Sequence, residues 1–366
     1  MAELVIYKER ILKNIRTLNT YFEKHGITWT LIVKMLSGNK RLLKEILTDP
    51  ILSGALQSVG DSRLTGLRHV KELNPEIQTM YIKPPAIRFA DQVVTYADVS
   101  LNSSFRTIEA LNRAAGKQNK VHKVIIMIEM GELREGILGD NLIDFYTRVF
   151  ALEHIDIIGI GTNLGCLFGV EPTRDKLVQL SLYKQLIEAT FKTKVSLVSG
   201  GTSITLPVIE QGKLPKAVNH FRVGEAVFMG TSPLDQKRFS TLSESVFEYD
   251  AQILEIEEKD AQPDGVIGEG NIGHAIEAQE DDPSDKSFRA LVDFGLIDVD
   301  AADLEPLDPE VSLFGSTSDM TVYSLGSNKT PSGQKKYQVG QSLPFKPSYM
   351  AVARLMSSKF IDKRVV

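Results

Sequence analysis

The chain has 366 residues, 42% hydrophobic and 24% charged, with a formal net charge of -5. That composition can build a large globular core, and an acidic chain whose basic stretches are as short as Lys335-Lys336 is a poor match for a nucleic-acid backbone. The single cysteine, Cys166, excludes an intramolecular disulfide and any zinc site made of paired cysteines, and no apolar run approaches the length of a membrane span.

The opening "MAELVIYKER" turns charged before a signal-peptide core can form, so a soluble cytoplasmic protein is expected. Its "ELVIY" is strand-like and is assigned, within residues 1–7, to the second domain. Eight β-rich runs then alternate with amphipathic stretches. They are "TWTLIVK" (28–34), "LQSVG" (56–60), "QTMYIK" (78–83), "ADVSLN" (97–102), "KVIIMIEM" (123–130), "IDIIGIGTN" (155–163), "KVSLVSG" (194–200) and "VNHFRVG" (218–224). In "SSFRTIEALNRAAGKQ", Ser103 or Ser104 can cap a helix whose Ile108, Leu111 and Ala115 share one face, and "RDKLVQLSLYKQLIEATF" repeats the pattern. Strands that alternate with helices imply parallel pairing with right-handed crossovers, and eight is the number that closes a (β/α)8 barrel; an open, doubly wound sheet is the rival. The barrel is expected over residues 8–225. From 226 to 366 the texture becomes alternating and turn-rich, as in "VFEYDAQILEIEEKD", which predicts a smaller antiparallel β domain, with 260–286 as a long acidic loop.

In such a barrel, function collects where the strands end. The polar residues there are Lys34, Asp61, Arg63, Asn102, Glu129, Arg134, Asn163, Ser199 and Arg222. "SGGTS" (199–203) and "RVGEA" (222–226) follow the last two strands, where glycines let backbone amides approach a phosphate. Lys34 is an amine at the same mouth, a candidate Schiff-base partner once burial or cationic neighbours make it nucleophilic. Together they point to pyridoxal 5'-phosphate. Each feature alone has a plainer explanation: a strand-end lysine is more often solvated, and each arginine can be a surface ion-pair member.

The stretches "IVK" (32–34), "VGDSRLTGL" (59–67), "DVSLNS" (98–103), "NKVHKVIIMIEMGELREGI" (119–137), "GIGTNLGC" (159–166), "VSGGTSITL" (198–206) and "FRVGEAVFMG" (221–230) resemble the fold-type III pyridoxal-phosphate enzymes of the alanine racemase superfamily, in particular its ornithine racemase-like branch. The resemblance implies an amino-acid racemase, with a basic amino acid such as ornithine as candidate substrate. It implies that Lys34 carries the cofactor and acts as one racemisation base. Arg134 would lie by the cofactor's phenolic oxygen and help to bind substrate, Asn163 near the ring, and Arg222 at the pyridine nitrogen. Ser199, Gly200, Thr202 and Ser203, the backbone of Gly224 and Glu225, and Tyr349 would bind phosphate. A homodimer with shared sites is implied too.

Two departures stand out. Met127 occupies a position where many alanine racemases have a lysine, and no tyrosine stands where the second base is expected. Glu269 falls there in a loose alignment: either Glu269, His274 or Asp319 takes the role, or the second base lies elsewhere. Asp298 and Asp300, with Glu269, are candidates for holding a cationic substrate side chain. No metal site is expected. "GEGNIG" (268–273) matches a dinucleotide fingerprint on paper but lacks the strand–turn–helix context. The rival functions are a fold-type III decarboxylase and a non-catalytic, regulatory pyridoxal-phosphate-binding protein.

Overall fold

The computed structural model describes residues 2–52, 54–266, 268, 273–275 and 286–366. The chain divides into two compact units: residues 9–244, and a unit made of residues up to Lys8 together with Ser245–Val366.

The first unit is a closed barrel of eight parallel strands. Numbering from a first strand β1 (Glu3–Ile6) in the other unit, these are β2 (Thr28–Ile32), β3 (Ser58–Asp61), β4 (Gln78–Tyr81), β5 (Val99–Asn102), β6 (His122–Met127), β7 (Ile155–Gly161), β8 (Leu197–Thr202) and β9 (His220–Val223). The barrel closes where β9 pairs with β2, setting Thr30 opposite Arg222. An open sheet is thereby excluded. Strand alternation sorts the side chains. Tyr81 packs outward against Leu67, Ala90, Val93 and Leu111 of the helical layer. Its neighbour Met80 joins Val99, Leu101, Ile125 and Met127 in a separate apolar cluster inside. Helix Phe105–Lys117 buries Ile108, Leu111 and Ala115, and Ser104 holds its N-cap position without a side-chain cap bond. Helix Arg174–Phe191 is capped by Thr173, which accepts from Lys176 N. The unit runs on past 225 to Glu244 because Asn14, fully buried, ties the late turns down: its Nδ2 donates to Val227 O (2.8 Å) and Ser243 O (2.9 Å), and its Oδ1 accepts Ser243 N (2.7 Å).

The second unit is a sheet. Its strands are β1 with β10 (Phe247–Asp260), β11 (His274–Ala275), β12 (Lys286–Val292), β13 (Leu304–Pro306), β14 (Ser312–Ser316), β15 (Thr321–Ser324), β16 (Ser342–Pro347) and β17 (Asp362–Val365). Their main order is β11-β14-β15-β12-β10-β1-β17. β1 lies antiparallel to β10 and parallel to β17, so the first strand is part of this sheet. Tyr249, Phe294, Tyr323 and Phe345 form its aromatic core, with ring centroids 5.0–6.4 Å apart. No helix among the described residues is long and apolar enough to cross a membrane.

Candidate active site

Lys34 does not end a strand. β2 stops at Ile32, Val33 N donates to Gly60 O (2.9 Å), and Lys34 opens a 3-10 turn, Lys34–Leu36. Val33, Met35 and Leu36 are buried while Lys34 is exposed, so the turn lifts the amine out of the apolar wall. Two carboxyls feel its charge. Burial pushes Asp61 up to about 6, against the pull of its backbone hydrogen bonds and of Lys34. Burial likewise raises Glu225, and Lys34 lowers it. Lys34 and the β9 end are therefore neighbours, as the β9–β2 pairing requires.

The turns after β8 and β9 also meet. Thr202 and Thr205 form a reciprocal cap that starts the 3-10 turn Ser203–Thr205, and Gly224 starts the short helix Glu225–Met229. Ser203, 5% exposed, joins them, its Oγ accepting Ala226 N at 3.1 Å. A hydroxyl that accepts an amide still carries its own O–H donor. Gly224 has no room for a side chain, since a Cβ would sit 2.7 Å from Ile32 O. A donor-rich turn pair beside an amine is a donor set that suits a phosphorylated aldehyde.

Arg222 lies inside the barrel. Its Nη1 donates to Ser199 O (2.8 Å) and to Ser199 Oγ, and its Nη2 to Thr162 O (2.8 Å) and Asn163 Oδ1 (2.6 Å). Burial pulls it down to about 10, so it remains a cation at neutral pH. Behind it, Ser199 Oγ meets His220 Nδ1 (2.7 Å), His220 Nε2 meets Thr30 Oγ1 (3.1 Å), and Thr30 donates to Ser58 Oγ (3.0 Å). Burial drives His220 down to about 3, so it is neutral with one donor. Thr30 already donates to Ser58, so it accepts from Nε2–H. Nδ1 then accepts from Ser199, and Ser199 Oγ accepts from Arg222. Every link has a direction.

On the other side of Arg222, Asn163 Nδ2 donates to Glu135, which also takes Nε and Nη2 of Arg134. Arg134 Nη1 reaches Cys166 Sγ. The turn carrying Arg134 is wound around Glu129, which accepts the amides of Gly131, Leu133 (3.1 Å) and Arg134 (3.0 Å), with Leu133 left-handed at φ 51°. Glu132 accepts the amides of Cys166 (3.1 Å), Leu167 (2.6 Å), Phe168 (3.0 Å) and Val170 (2.8 Å), which holds it at about 2 despite its burial.

The barrel therefore gathers Lys34, Arg134, Asn163, Thr202, Ser203, Arg222, Gly224 and Glu225 on the rim formed by its strand ends. Two expected phosphate residues are placed differently. Ser199 is within β8 rather than in a loop, and its hydroxyl serves Arg222 and His220. Gly200 turns toward the helical layer, where a Cβ would meet Leu180 (3.0 Å) and Leu177 (3.3 Å). The strand continues to Thr202, so these residues alternate across the sheet. Asp61 lies against Gly66 of helix Leu64–Leu73, and Asn102 folds its amide back on Ser100.

The remaining candidates belong to the sheet unit. Asp319 is exposed in the turn after β14, beside the Asp298 loop, because Leu296 N and Ile297 N donate to Thr317 O and Ser318 O (both 3.0 Å). Asp300 caps the turn Ala301–Asp303 through Ala302 N (3.1 Å), His274 is exposed on β11, and Tyr349 opens helix Tyr349–Ser357. Glu269 lies outside the described residues, as does most of "GEGNIG". Among the described residues no group of three or more His, Cys, Asp or Glu can hold a metal ion. Sequence reasoning missed Glu132 and Glu135 as parts of the rim. Their signal was the spacing Glu129, Glu132, Glu135 across a segment punctuated by Gly131 and Gly136, acceptors arranged around a turn.

The alanine racemase N-terminal domain family matches residues 6–232. The chain belongs to the alanine racemase family. It is 32% identical to an ornithine racemase of Acetoanaerobium sticklandii over 100% of this chain and 99% of that protein. It is 26% identical to a lysine racemase of Thermotoga maritima over 98% of this chain and 97% of that one. Among solved structures, alanine racemase from Bartonella henselae with covalently bound pyridoxal phosphate shares the fold at TM-score 0.70 and 15% identity, covering 100% of this chain and 99% of that chain.

Proposed function

We propose that this family member is a pyridoxal-phosphate-dependent racemase of an amino acid with a cationic side chain, ornithine foremost. Racemisation of an amino acid is the reaction class that comes with the family. The basic substrate is supported by the ornithine and lysine specificities named for the two relatives. The observation that carries the cofactor assignment is the β9–β2 closure, which sets Lys34, in the turn just past β2, beside the Ser203–Glu225 turn pair.

When bound, pyridoxal phosphate supplies an electron-withdrawing ring that acidifies the Cα–H of an attached amino acid. The residues divide the remaining work. Lys34 Nζ holds the group and carries the Cα proton on one face. Ser203 Oγ–H and the backbone of Gly224 and Glu225 would hold phosphate oxygens, with Thr202 shaping the turn. Arg222 would hold the ring nitrogen, and because it keeps its own proton it would give that nitrogen a hydrogen bond rather than a full charge. That restrains side reactions and favours return of the proton to Cα. Arg134 offers a cation to the substrate carboxylate or a ring oxygen. The second proton-carrying group is sought among Glu269, His274 and Asp319, and Asp298, Asp300 and Tyr349 complete the proposed binding set. The proposal includes a homodimer with shared sites.

The test is incubation with pyridoxal phosphate and a panel of L-amino acids in deuterium oxide. Deuterium at Cα with D-enantiomer appearing, fastest for ornithine or lysine, is the expected result. Carbon dioxide release would show a decarboxylase instead, and cofactor binding without exchange a carrier.

A further inference from the structure

We propose that Glu135 is a positioning residue for both guanidinium groups at the barrel mouth, the counter-charge that ties Arg134 to Arg222. Glu135 follows Arg134 in sequence and grips it with both carboxylate oxygens, while one of those oxygens also takes Asn163 Nδ2. Asn163 passes the connection on through Oδ1 to Arg222 Nη2 at 2.6 Å. The carboxylate is 9% exposed, so water screens it little. Arg222 is also fastened to Ser199 O through Nη1 and to Thr162 O through Nη2, so the Asn163–Glu135 arm sets the direction of the second Nη2 N–H. The two guanidiniums oppose each other electrostatically: Arg134 makes it harder for Arg222 to stay charged, and Glu135 makes it easier.

The backbone is shaped for this contact. Glu129 winds the turn by accepting three amides, Leu133 sits left-handed, and Gly136 passes so close to the Glu129 backbone that a side chain there would collide. The result presents residues 134 and 135 side by side toward β7. Glu135 thus holds the pair of cations at one net positive charge and in one orientation. The meaning of that for catalysis rests on the proposed function, in which both cations face the cofactor or substrate.

A built-in reporter makes the placement testable without turnover. Cys166 is the chain's only cysteine, it is exposed, and Arg134 Nη1 contacts its sulfur. In Glu135→Gln, Arg134 loses its carboxylate and its charge acts more fully on the thiol, so iodoacetamide should alkylate Cys166 about three- to tenfold faster at neutral pH in the cofactor-free protein. Glu135→Asp keeps the charge and should stay within about twofold of the native rate. Asn163→Ala leaves the Arg134–Glu135 pair intact and should not change the alkylation rate. In the loaded enzyme, Glu135→Gln and Asn163→Ala should each lower kcat about tenfold with a smaller change in KM, and each should move the pH dependence of the cofactor's absorbance. An unchanged thiol rate in Glu135→Gln, or an equal acceleration in Glu135→Asp, overturns the proposal. The predicted thiol responses in a protein that racemises no amino acid would uphold the placement and overturn the function instead.

Discussion

The inside of the barrel has two unlike walls. Across β4, β5 and β6 it is apolar: Met80, Val99, Leu101, Ile125 and Met127 pack together, each 1% exposed or less. Across β2, β3, β8 and β9 it is a chain of hydrogen bonds that starts at Arg222 and runs through Ser199, His220 and Thr30 to Ser58. Both walls are fully buried, so they differ in what their burial accomplishes. The apolar wall removes surface from water at about 25 cal/mol per Å2 and asks for no particular orientation. The polar wall gains little net energy per bond, but each link fixes the donor direction of the next. A guanidinium held in one pose is worth more to chemistry than to stability, and this neutral-histidine relay ending on an arginine stands on the wall that also leads to Lys34.

The sharpest way to break this contrast is at Lys34. Lys34→Ala should remove the protein-bound cofactor absorbance and lower turnover by on the order of 10³-fold or more. A band that borohydride still reduces onto the variant would move the chemistry off this wall. Next is Met127→Ala on the apolar wall, which should cost about 2–5 kcal/mol in denaturant unfolding while leaving the pH dependence of stability unchanged. If turnover falls more than stability explains, the apolar wall is not merely packing.

His220→Leu should cost less, about 1–3 kcal/mol, yet lower kcat roughly tenfold by loosening Ser199 and Arg222. It should also change the response to acid. Native His220 is held at about 3 against an unperturbed 6.5, so between those values the unfolded chain binds a proton that the folded chain refuses. Stability from this group is complete above 6.5 and is lost as pH falls through 6.5 toward 3, an effect on the order of a few kcal/mol at most. Urea unfolding across that range should be flatter in His220→Leu than in the native protein; parallel curves would show that the relay is not buried neutral. The smallest change expected is Ser203→Ala, which should weaken cofactor binding about three- to tenfold and leave the acid response untouched. An unaltered affinity would remove Ser203 from the phosphate set.

The barrel strands were legible because each is a short apolar run between helical patterns. The predicted run 78–83 contains β4, and 218–224 contains β9. Helix Arg174–Phe191 coincides with the amphipathic segment that predicted it. β1 has its antiparallel neighbour in β10 and its parallel neighbour in β17, the last strand of the chain, so both partners lie outside the strand–helix alternation. The strand-end rule was coarser. It treated Ser199, Asp61 and Asn102 as rim residues, but side chains alternate across a strand. A strand that runs two residues longer, or a turn that starts one residue earlier, exchanges the mouth for the helical layer. Asp61 and Asn102 fell on the outer side, and Ser199 fell deep within β8.

By itself the sequence determined that an amine, two guanidiniums and two glycine-bearing segments lie near the ends of eight strands, because hydrophobic periodicity and chain order are local properties. Only the tertiary structure decided which of them face one another. The pairing of β9 with β2 joins segments nearly two hundred residues apart, and that closure sets Thr30 opposite Arg222 and brings Glu225 under the charge of Lys34. The acidic turn behaves the same way. Glu129, Glu132 and Glu135 look alike in sequence, yet the fold gives one to its own turn, one to the amides of residues 166–170, and one to Arg134 and Asn163. Hydrogen-bond partners are set by where a side chain's few acceptor directions point after the chain has closed on itself, and no local pattern carries that information.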